Sequence, residues 1–310
     1  MTGPVGTDDV ASPQVIPPVV EAAPIEITPS REAEVGGHRV RRALPRRARR
    51  TVGAWCFLDH MLPTTADVGI GPHPHIGLHT VTWLLEGELL HRDGLGSEQA
   101  IRPGQLNLMT AGRGIAHAEE ATSRGQRHHG LQLWVAQPEA TRHGEPAFEH
   151  HAELPQVELG AATATVLVGE VDGTASPARA DTPLVGVDVD LPDGATATVP
   201  LDPTFEHALG VAEGGVKGVV GDVLTPGHLA YLGRGRDELA LTADRAARLL
   251  LVGGEPFEAT PLMWWNYVAR TRAEVWDAHR AWNDGDGRFA PVASTLERIP
   301  SVAPPWDPDR

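Results

Sequence analysis

Cysteine, lysine and long apolar runs are scarce in this 310-residue sequence. Cys56 is the only cysteine, so the chain cannot form an intramolecular disulfide, which agrees with a reducing setting. No stretch approaches the roughly 18 apolar residues of a membrane-spanning helix, and the N-terminus lacks the basic start and apolar core of a secretion signal. The sequence therefore predicts a cytoplasmic protein without a membrane partner.

Positive charge is also scarce, and it is unevenly distributed. The net charge of −15 argues against general nucleic-acid affinity, because a polyanion would be repelled. Lys217 is the only lysine, yet residues 31–50 hold eight arginines against two acids. This basic segment is either an anion-binding patch or an edge strand and loop that offset the acidic remainder of the chain. We favour the structural interpretation.

Glycine and proline, in contrast, are abundant. The 34 glycines and 27 prolines, with little sign of long helices, favour many short strands joined by turns. The length suffices for two domains of about 100 to 150 residues. Residues 1–30 are rich in Pro, Val and Ala, contain four acids and no bases, and show no clear period. They are predicted to form a disordered tail.

Two pairs of potential metal ligands stand about forty residues apart, His73 with His75 and His117 with Glu119. The members of each pair are two residues apart, and in an extended strand such residues point to the same face. If both segments are strands of one barrel, four side chains converge on one interior point. Three imidazoles and a carboxylate suit a divalent transition metal (Fe, Mn, Co, Ni, Cu or Zn) and suit calcium or magnesium poorly.

The sequence between the two pairs is typical of strands. Residues 80–85 are rich in β-branched and aromatic side chains, and residues 86–88 turn the chain. After a turn at residues 103–104, residues 105–110 alternate polar and apolar side chains, as a half-buried strand does. The pattern predicts a small antiparallel barrel with a metal in its mouth.

Several longer motifs resemble those of a known family. They are His73-Pro74-His75, Leu85-Glu86-Gly87, the block MTAGRGIAHAE from Met109 to Glu119, and GLQLWV from Gly130 to Val135. Together they resemble the pirin family of the cupin superfamily, and the resemblance extends more weakly from about Arg31 to Trp282. It implies an all-β bicupin, two antiparallel jelly-roll barrels with a short C-terminal helix, and a metal in the N-terminal barrel only.

The resemblance also implies a ligand set and domain boundaries. The metal, most often iron, would be held by His73, His75, His117 and Glu119. The expected division of the chain is a tail, a metal-binding barrel, a second barrel without ligands, and a C-terminal strand, helix and tail, at residues 1–30, 31–150, 151–255 and 256–310.

Three further residues are candidates for the surroundings of the metal. His79 stands where many cupins have a ligating glutamate. The acidic residue at that position in pirins does not ligate, so the ligand set stays intact, and His79 is a candidate fifth ligand or hydrogen-bond partner. Trp264 or Trp265 is a candidate wall of the pocket. After these residues, the sequence predicts a helix over residues 271–282.

A second copy of the barrel pattern follows the first. Residues 225–235 mirror residues 102–112 at a separation of 123, and residues 212–214 echo residues 85–87 at a separation of 127. Such self-similarity indicates duplication. The four ligand positions map to Pro200, Asp202, Ala240 and Thr242. The second barrel is therefore predicted to be a structural partner of the first.

Three functions are open from the sequence. Several pirin-like proteins cleave quercetin, so the resemblance implies a metal-dependent quercetin 2,3-dioxygenase-type reaction. In such a reaction the metal would bind the flavonol 3-hydroxyl oxygen, Glu119 would shift from ligand to catalytic base and take the proton, and oxygen would add across the central ring. The alternative is a non-enzymatic, redox-responsive iron protein that binds a regulatory protein partner. The third is another enzyme on the same site, acting on a different enol or catechol.

Overall fold

The computed structural model describes residues 21–306, and strands dominate this part of the chain. The first half contains β1 (Glu26–Pro29), β2 (Arg31–Val35), β3 (His38–Leu44), β4 (Trp55–Thr64), β5 (Gly69–His75), β6 (Leu78–Glu86), β7 (Leu89–Asp93), β8 (Glu98–Ile101), β9 (Leu106–Thr110), β10 (Ile115–Ala121), β11 (His128–Ala136) and β12 (Ala147–His151). The second half contains β13 (Gln156–Leu159), β14 (Ala162–Val168), β15 (Glu170–Val171), β16 (Thr174–Ala175), β17 (Leu184–Leu191), β18 (Thr196–Pro200), β19 (Glu206–Lys217), β20 (His228–Gly233), β21 (Glu238–Gly254), β22 (Leu262–Trp264), β23 (Tyr267–Ala269) and the helix α1 (Arg272–Asp284).

The first barrel is a sandwich of a seven-stranded and a four-stranded sheet. The large sheet has the order β12-β9-β6-β11-β4-β3-β2, and the small sheet has the order β5-β10-β7-β8. Strands β5 and β10 are antiparallel neighbours, with His73 opposite His117. The two pairs of potential ligands therefore lie on adjoining strands of one barrel. The basic segment follows the edge of the large sheet along β2 and β3.

The second barrel repeats the strand order of the first. Its sheet runs β1-β20-β19-β21-β17-β14-β13, with β18 also paired to β21. Position by position, this order matches that of the large sheet of the first barrel. Strand β9 corresponds to β20, and β6 corresponds to β19, as the sequence repeat requires. The duplication predicted from residues 102–112 and 225–235 is therefore visible in the topology, and the all-β bicupin fold is confirmed.

The N-terminal strand β1 differs from the sequence-based expectation. Residues 1–20 of the predicted tail lie outside the described residues, but Glu26–Pro29 pair with β20. There β1 fills the sheet edge that β12 fills in the first barrel. The prediction of disorder is thus wrong for these four residues. The open edge of β20 supplies backbone hydrogen-bond partners that composition does not reveal.

The two large sheets pack against each other and share a hydrophobic core. It contains side chains from the outer face of the first barrel, such as Leu58, Val81 and Leu133, and side chains of the second, such as Leu250 and Val252. Polar atoms in this layer are paired. The indole N–H of Trp55 donates to the carbonyls of Val185 and Gly253, at 3.1 and 3.0 Å, and the indole N–H of Trp83 donates to Asp188 at 2.7 Å.

The C-terminal segment packs against the first barrel. Strands β22 and β23 form a hairpin, and Tyr267 bridges to Ile76 beside the ligand strand β5. The predicted helix is present as α1, where Thr271 caps the N-terminus through a bond from the Glu274 N–H and Gly285 ends the helix in the left-handed conformation. Among the described residues, no helix combines the length and apolar character needed to cross a membrane.

Acid is expected to destabilise the fold through His207. This side chain in β19 is buried, and burial lowers its pKa to about 4, only partly offset by Asp202. Between about pH 6.5 and 4 the unfolded chain binds a proton at His207 that the folded chain does not. The free energy of unfolding therefore decreases as the pH is lowered, by about 3 kcal/mol over this range for this group. Urea titrations at pH 7.5 and 5 on wild type and His207→Gln measure the part of this loss that falls above pH 5, about 2 kcal/mol. An unchanged pH dependence in the variant would contradict this assignment.

Candidate metal centre

Three histidines from the two ligand strands converge inside the first barrel. Potential ligand atoms of His73, His75 and His117 lie within 4.8 Å of one another, and all three side chains are buried. The Nε2 atoms of His75 and His117 are 3.1 Å apart. Two nitrogens that each lie about 2.1 Å from one ion, at a right angle, are separated by about 3 Å. The spacing therefore fits two ligands of a single transition-metal ion.

Backbone carbonyls orient two of these rings. The Nδ1 atom of His73 lies 2.9 Å from the carbonyl oxygen of Gly71, and the Nδ1 atom of His75 lies 3.2 Å from that of Asn266. A carbonyl only accepts, so both Nδ1 atoms carry the proton and both Nε2 atoms present a lone pair. Burial lowers the pKa of His73 to about 4 and holds that of His75 well below its usual value, which keeps the rings neutral.

A side-chain relay orients the third ring. Asp93 lies 3.1 Å from the Nε2 atom of His91, whose Nδ1 atom lies 3.3 Å from Nδ1 of His117. Burial alone would raise the pKa of Asp93, but hydrogen bonds from His91 and Ser97 outweigh it and lower that pKa, so Asp93 accepts as a carboxylate. His91 then donates through Nε2 and accepts through Nδ1. His117 in turn donates through Nδ1 and directs its Nε2 lone pair into the cluster.

Asp93→Asn is expected to weaken metal binding although residue 93 is not a ligand. The Oδ1 atom of Asp93 accepts from the backbone N–H groups of Leu95 and Ser97. An asparagine that keeps these bonds turns its NH2 group towards His91, which reverses the tautomers of His91 and His117. We expect a loss of about 10- to 100-fold in affinity, measured by competition with a chelator. Glu98→Gln, an exposed change on the neighbouring strand, is the control. Equal affinity in both variants would contradict the relay.

Glu119 lies beside the three histidines but outside their group of closely spaced ligand atoms. The register of β5 and β10 shifts by one residue between His117 and Glu119, which re-aims the carboxyl. Burial raises its pKa, and the Thr82 hydroxyl lies 3.2 Å from Oε1. Its role as a metal ligand therefore stays a prediction.

His79 points away from the cluster. Its Nδ1 atom lies 2.9 Å from the Thr110 hydroxyl, and its Nε2 atom lies 3.1 Å from Asp181. On strand β6 the side chain of Thr82, three residues later, reaches Glu119, so His79 belongs to the opposite face. The geometry therefore does not support His79 as a fifth ligand.

A cavity of about 340 Å³ opens from the histidine cluster. Its walls come from inward-facing positions of β3, β4 and β11 and from the C-terminal segment. Phe57 and Trp134 stack at 4.1 Å between ring centroids, and Arg42 lies 4.5 Å from the Phe57 ring. Of the two predicted wall residues, Trp265 lines the cavity and Trp264 does not. Trp265 has φ +52°, a strained conformation for a side-chain-bearing residue.

Arg42 and Asp59 form a partly buried ion pair in the cavity wall that the sequence did not reveal. The two bonds from Nε and Nη2 of Arg42 to the carboxylate measure 2.8 and 2.6 Å. Arg42 belongs to the basic segment interpreted as structural, and its place on β3 puts it two residues after Val40, which also lines the cavity. This period of two is the signal that could have separated Arg42 from its neighbours.

Comparisons with known proteins agree with this architecture. The Pirin family profile matches residues 37–135, and the Pirin C-terminal cupin domain profile matches residues 186–290. A Pseudomonas aeruginosa protein, provisionally named a quercetin 2,3-dioxygenase, is 47% identical over 287 residues, 90% of each chain. A Pirin-like protein of Caulobacter vibrioides is 37% identical over 268 residues, 83% of this chain and 92% of the relative.

A solved structure matches over nearly the whole chain. The crystal structure of quercetin 2,3-dioxygenase from Acinetobacter baumannii gives a TM-score of 0.86 at 43% identity, covering 91% of this chain and 97% of that one. Two family profiles, relatives of high coverage and the repeated barrel all agree. The chain therefore belongs to the pirin family and has its two-barrel cupin fold.

Proposed function

We propose that this pirin is a divalent-metal-dependent dioxygenase that cleaves a flavonol of the quercetin type. The observation that carries the proposal is the convergence of three neutral imidazoles at an aromatic cavity, with the carboxyl of Glu119 beside them. The names of the Pseudomonas and Acinetobacter relatives support the substrate class. The cavity volume falls within the range of about 300 to 1,000 Å³ typical of small-molecule sites.

The three histidines His73, His75 and His117 would hold the metal, with ferrous iron as the favoured ion. When bound, it supplies Lewis acidity towards the enol and carbonyl oxygens of the substrate. The protein contributes neutral rings with fixed tautomers, so no ligand has to lose a proton or reorient before binding.

Glu119 is suited to take the proton of the flavonol 3-hydroxyl group. Burial raises its pKa, which makes the carboxylate a stronger base than an exposed glutamate. The Thr82 hydroxyl lies within hydrogen-bond distance of both Glu119 and Gln132, at 3.2 and 3.1 Å. It can donate to ionised Glu119, or accept from protonated Glu119 and donate to Gln132. Both protonation states of the base therefore find a partner.

The cavity walls favour a flat, hydroxylated ligand. Phe57 and Trp134 offer aromatic surface, and Arg42 offers a cation fixed by Asp59. His38 also lines the cavity, and within the described part of the chain its Nε2 atom has no hydrogen-bond partner. A substrate hydroxyl would satisfy that buried nitrogen.

Oxygen uptake with quercetin tests this function. Protein purified without oxygen and loaded with one equivalent of ferrous iron is expected to consume one O2 per quercetin, with loss of the flavonol absorbance. Luteolin, which lacks the 3-hydroxyl group, is the matched substrate control and is expected to be inert, because the proposed proton transfer has no donor. No uptake at full metal loading would overturn the proposal and turn attention to a redox-dependent protein partner.

A further inference from the structure

The Glu-Gly pairs that the two barrels share, Glu86-Gly87 and Glu213-Gly214, lie at the barrel interface. Glu86 ends β6 and Glu213 lies in β19, the corresponding strand of the second barrel. Between them stands His129 of β11. Potential ligand atoms of the three residues lie within 4.8 Å of one another. The Nδ1 atom of His129 is 3.2 Å from Oε1 of Glu213 and 3.9 Å from Oε1 of Glu86.

The geometry around His129 does not match a hydrogen bond. The side chain is only 1% exposed, and among residues 21–306 its Nδ1 atom has no hydrogen-bond partner despite the 3.2 Å approach of Glu213. An unsatisfied buried nitrogen is costly, so a native site of this kind calls for an explanation. Two ligand atoms about 2.1 Å from one ion are themselves separated by about 3 Å without any hydrogen bond between them.

The other side of the His129 ring agrees with a ligand role. Its Nε2 atom lies 2.8 Å from Nε2 of His60, so one ring donates there and the other accepts. If His129 donates through Nε2, its Nδ1 atom carries the lone pair that faces the carboxylates. Burial lowers the pKa of both His60 and His129, which keeps the rings neutral.

The local charge also permits a cation. Two carboxylates face the ring, and one guanidinium, that of Arg127, contacts Oε2 of Glu86 and leaves Oε1 directed towards His129. The side chain of Glu213 is about half exposed, so solvent ions have access. One imidazole and two carboxylates form a ligand set that zinc accepts, with a fourth position for water.

We propose that His129, Glu86 and Glu213 form a second divalent-metal site, suited to an ion such as Zn²⁺, that links the two barrels. It is separate from the cluster of His73, His75 and His117, because alternation along β11 directs Gln132 and Trp134 into the cavity and His129 to the interface. Such a site ties β6 and β11 to β19 and uses the duplicated Glu-Gly pairs, which the proposed reaction leaves without a role.

Zinc stoichiometry tests the site. Metal-free wild-type protein dialysed against Zn²⁺ is expected to bind two equivalents. Glu213→Gln is expected to lose the equivalent bound at His129. The affinity of that site for Zn²⁺ should fall on the order of 100-fold, because loss of a direct ligand costs at least as much as loss of a residue that only orients a ligand. Glu238→Gln makes the same charge change on an exposed residue at the start of β21 and should keep both. One equivalent in the wild type that Glu213→Gln still binds, or two equivalents with unchanged affinity in Glu213→Gln, would overturn the proposal.

A second readout separates this site from the histidine cluster. In the His75→Ala variant, where the cluster lacks one ring, Zn²⁺ is still expected to raise the thermal unfolding temperature, because the ion binds only the docked barrels. Adding Glu213→Gln to that variant should abolish the rise. A rise that survives the second substitution would show that zinc acts elsewhere.

Discussion

In the proposed dioxygenase, His75→Ala is expected to leave a folded protein with weakened metal binding and a strongly reduced rate with quercetin. His75 is one of three rings that converge, and its Nε2 atom lies 3.1 Å from that of His117. Removal of a direct ligand should cost more than the 10- to 100-fold in affinity that outer partners contribute. The rate at equal protein should fall on the order of 1,000-fold, since a metal supplies several kcal/mol and each 1.4 kcal/mol is about tenfold.

His79→Asn is the matched control for His75→Ala. His79 lies four residues after His75 in the sequence and is equally buried. It contacts Thr110 and Asp181 on the other face of the sheet. It is expected to keep a full equivalent of iron and the wild-type rate. Metal content after dialysis and oxygen uptake are measured together. Iron retained by His75→Ala, or lost by His79→Asn, would contradict the ligand assignment.

The shared face within each pair could be predicted because it needs only local information, whereas the meeting of the two pairs depends on β5 and β10 being neighbours. A spacing of two residues places His73 with His75 and His117 with Glu119 on common faces once the segments are strands. Alternation does not reveal a register shift, however. The extra residue in β5 opposite the interval from His117 to Glu119 depends on the pairing of two strands, and it sets Glu119 apart from the three rings.

The relay behind His117 could not be predicted for a related reason. His91 and Asp93 are also two residues apart, but nothing in their own segment states that β7 lies beside β10 with Asp93 opposite His117. Arg42 and Asp59 meet across β3 and β4 in the same way. Such pairs depend on which strands are neighbours, information that is stored in the whole fold.

The second barrel keeps the fold of the first without its potential metal ligands. Its strand order matches the first, yet the ligand positions hold Pro200, Asp202, Ala240 and Thr242. Asp202 instead accepts from the backbone N–H and the hydroxyl of Thr204 in a turn, at 2.8 and 2.6 Å. The core of this barrel is aliphatic throughout. The repeat therefore keeps the packing pattern without the donors of a metal site.

Glu119→Gln is expected to retain metal and lose catalysis. The three histidines remain, and the amide is nearly isosteric with the carboxyl and can still accept from the Thr82 hydroxyl. It cannot take a proton, so kcat should fall by about 10²- to 10⁴-fold, the usual contribution of general base catalysis. In the wild type kcat/KM should rise with pH as Glu119 ionises. The variant's residual activity should lack that rise.

Glu120→Gln is the control that separates catalysis from charge. Glu120 follows Glu119 on β10, so its side chain faces away from the cluster, where it pairs with Arg92 at 2.8 Å and with the Ser294 hydroxyl at 2.6 Å. The same loss of one carboxylate should there leave kcat close to that of the wild type, because Glu120 does not line the cavity. If Glu119→Gln lost iron in proportion to its activity, the loss of activity would come from the loss of a metal ligand and not from the loss of a base. If it kept both iron and rate, the proton of the substrate would have to leave by another group, and His38, which also lines the cavity, would be the next to replace.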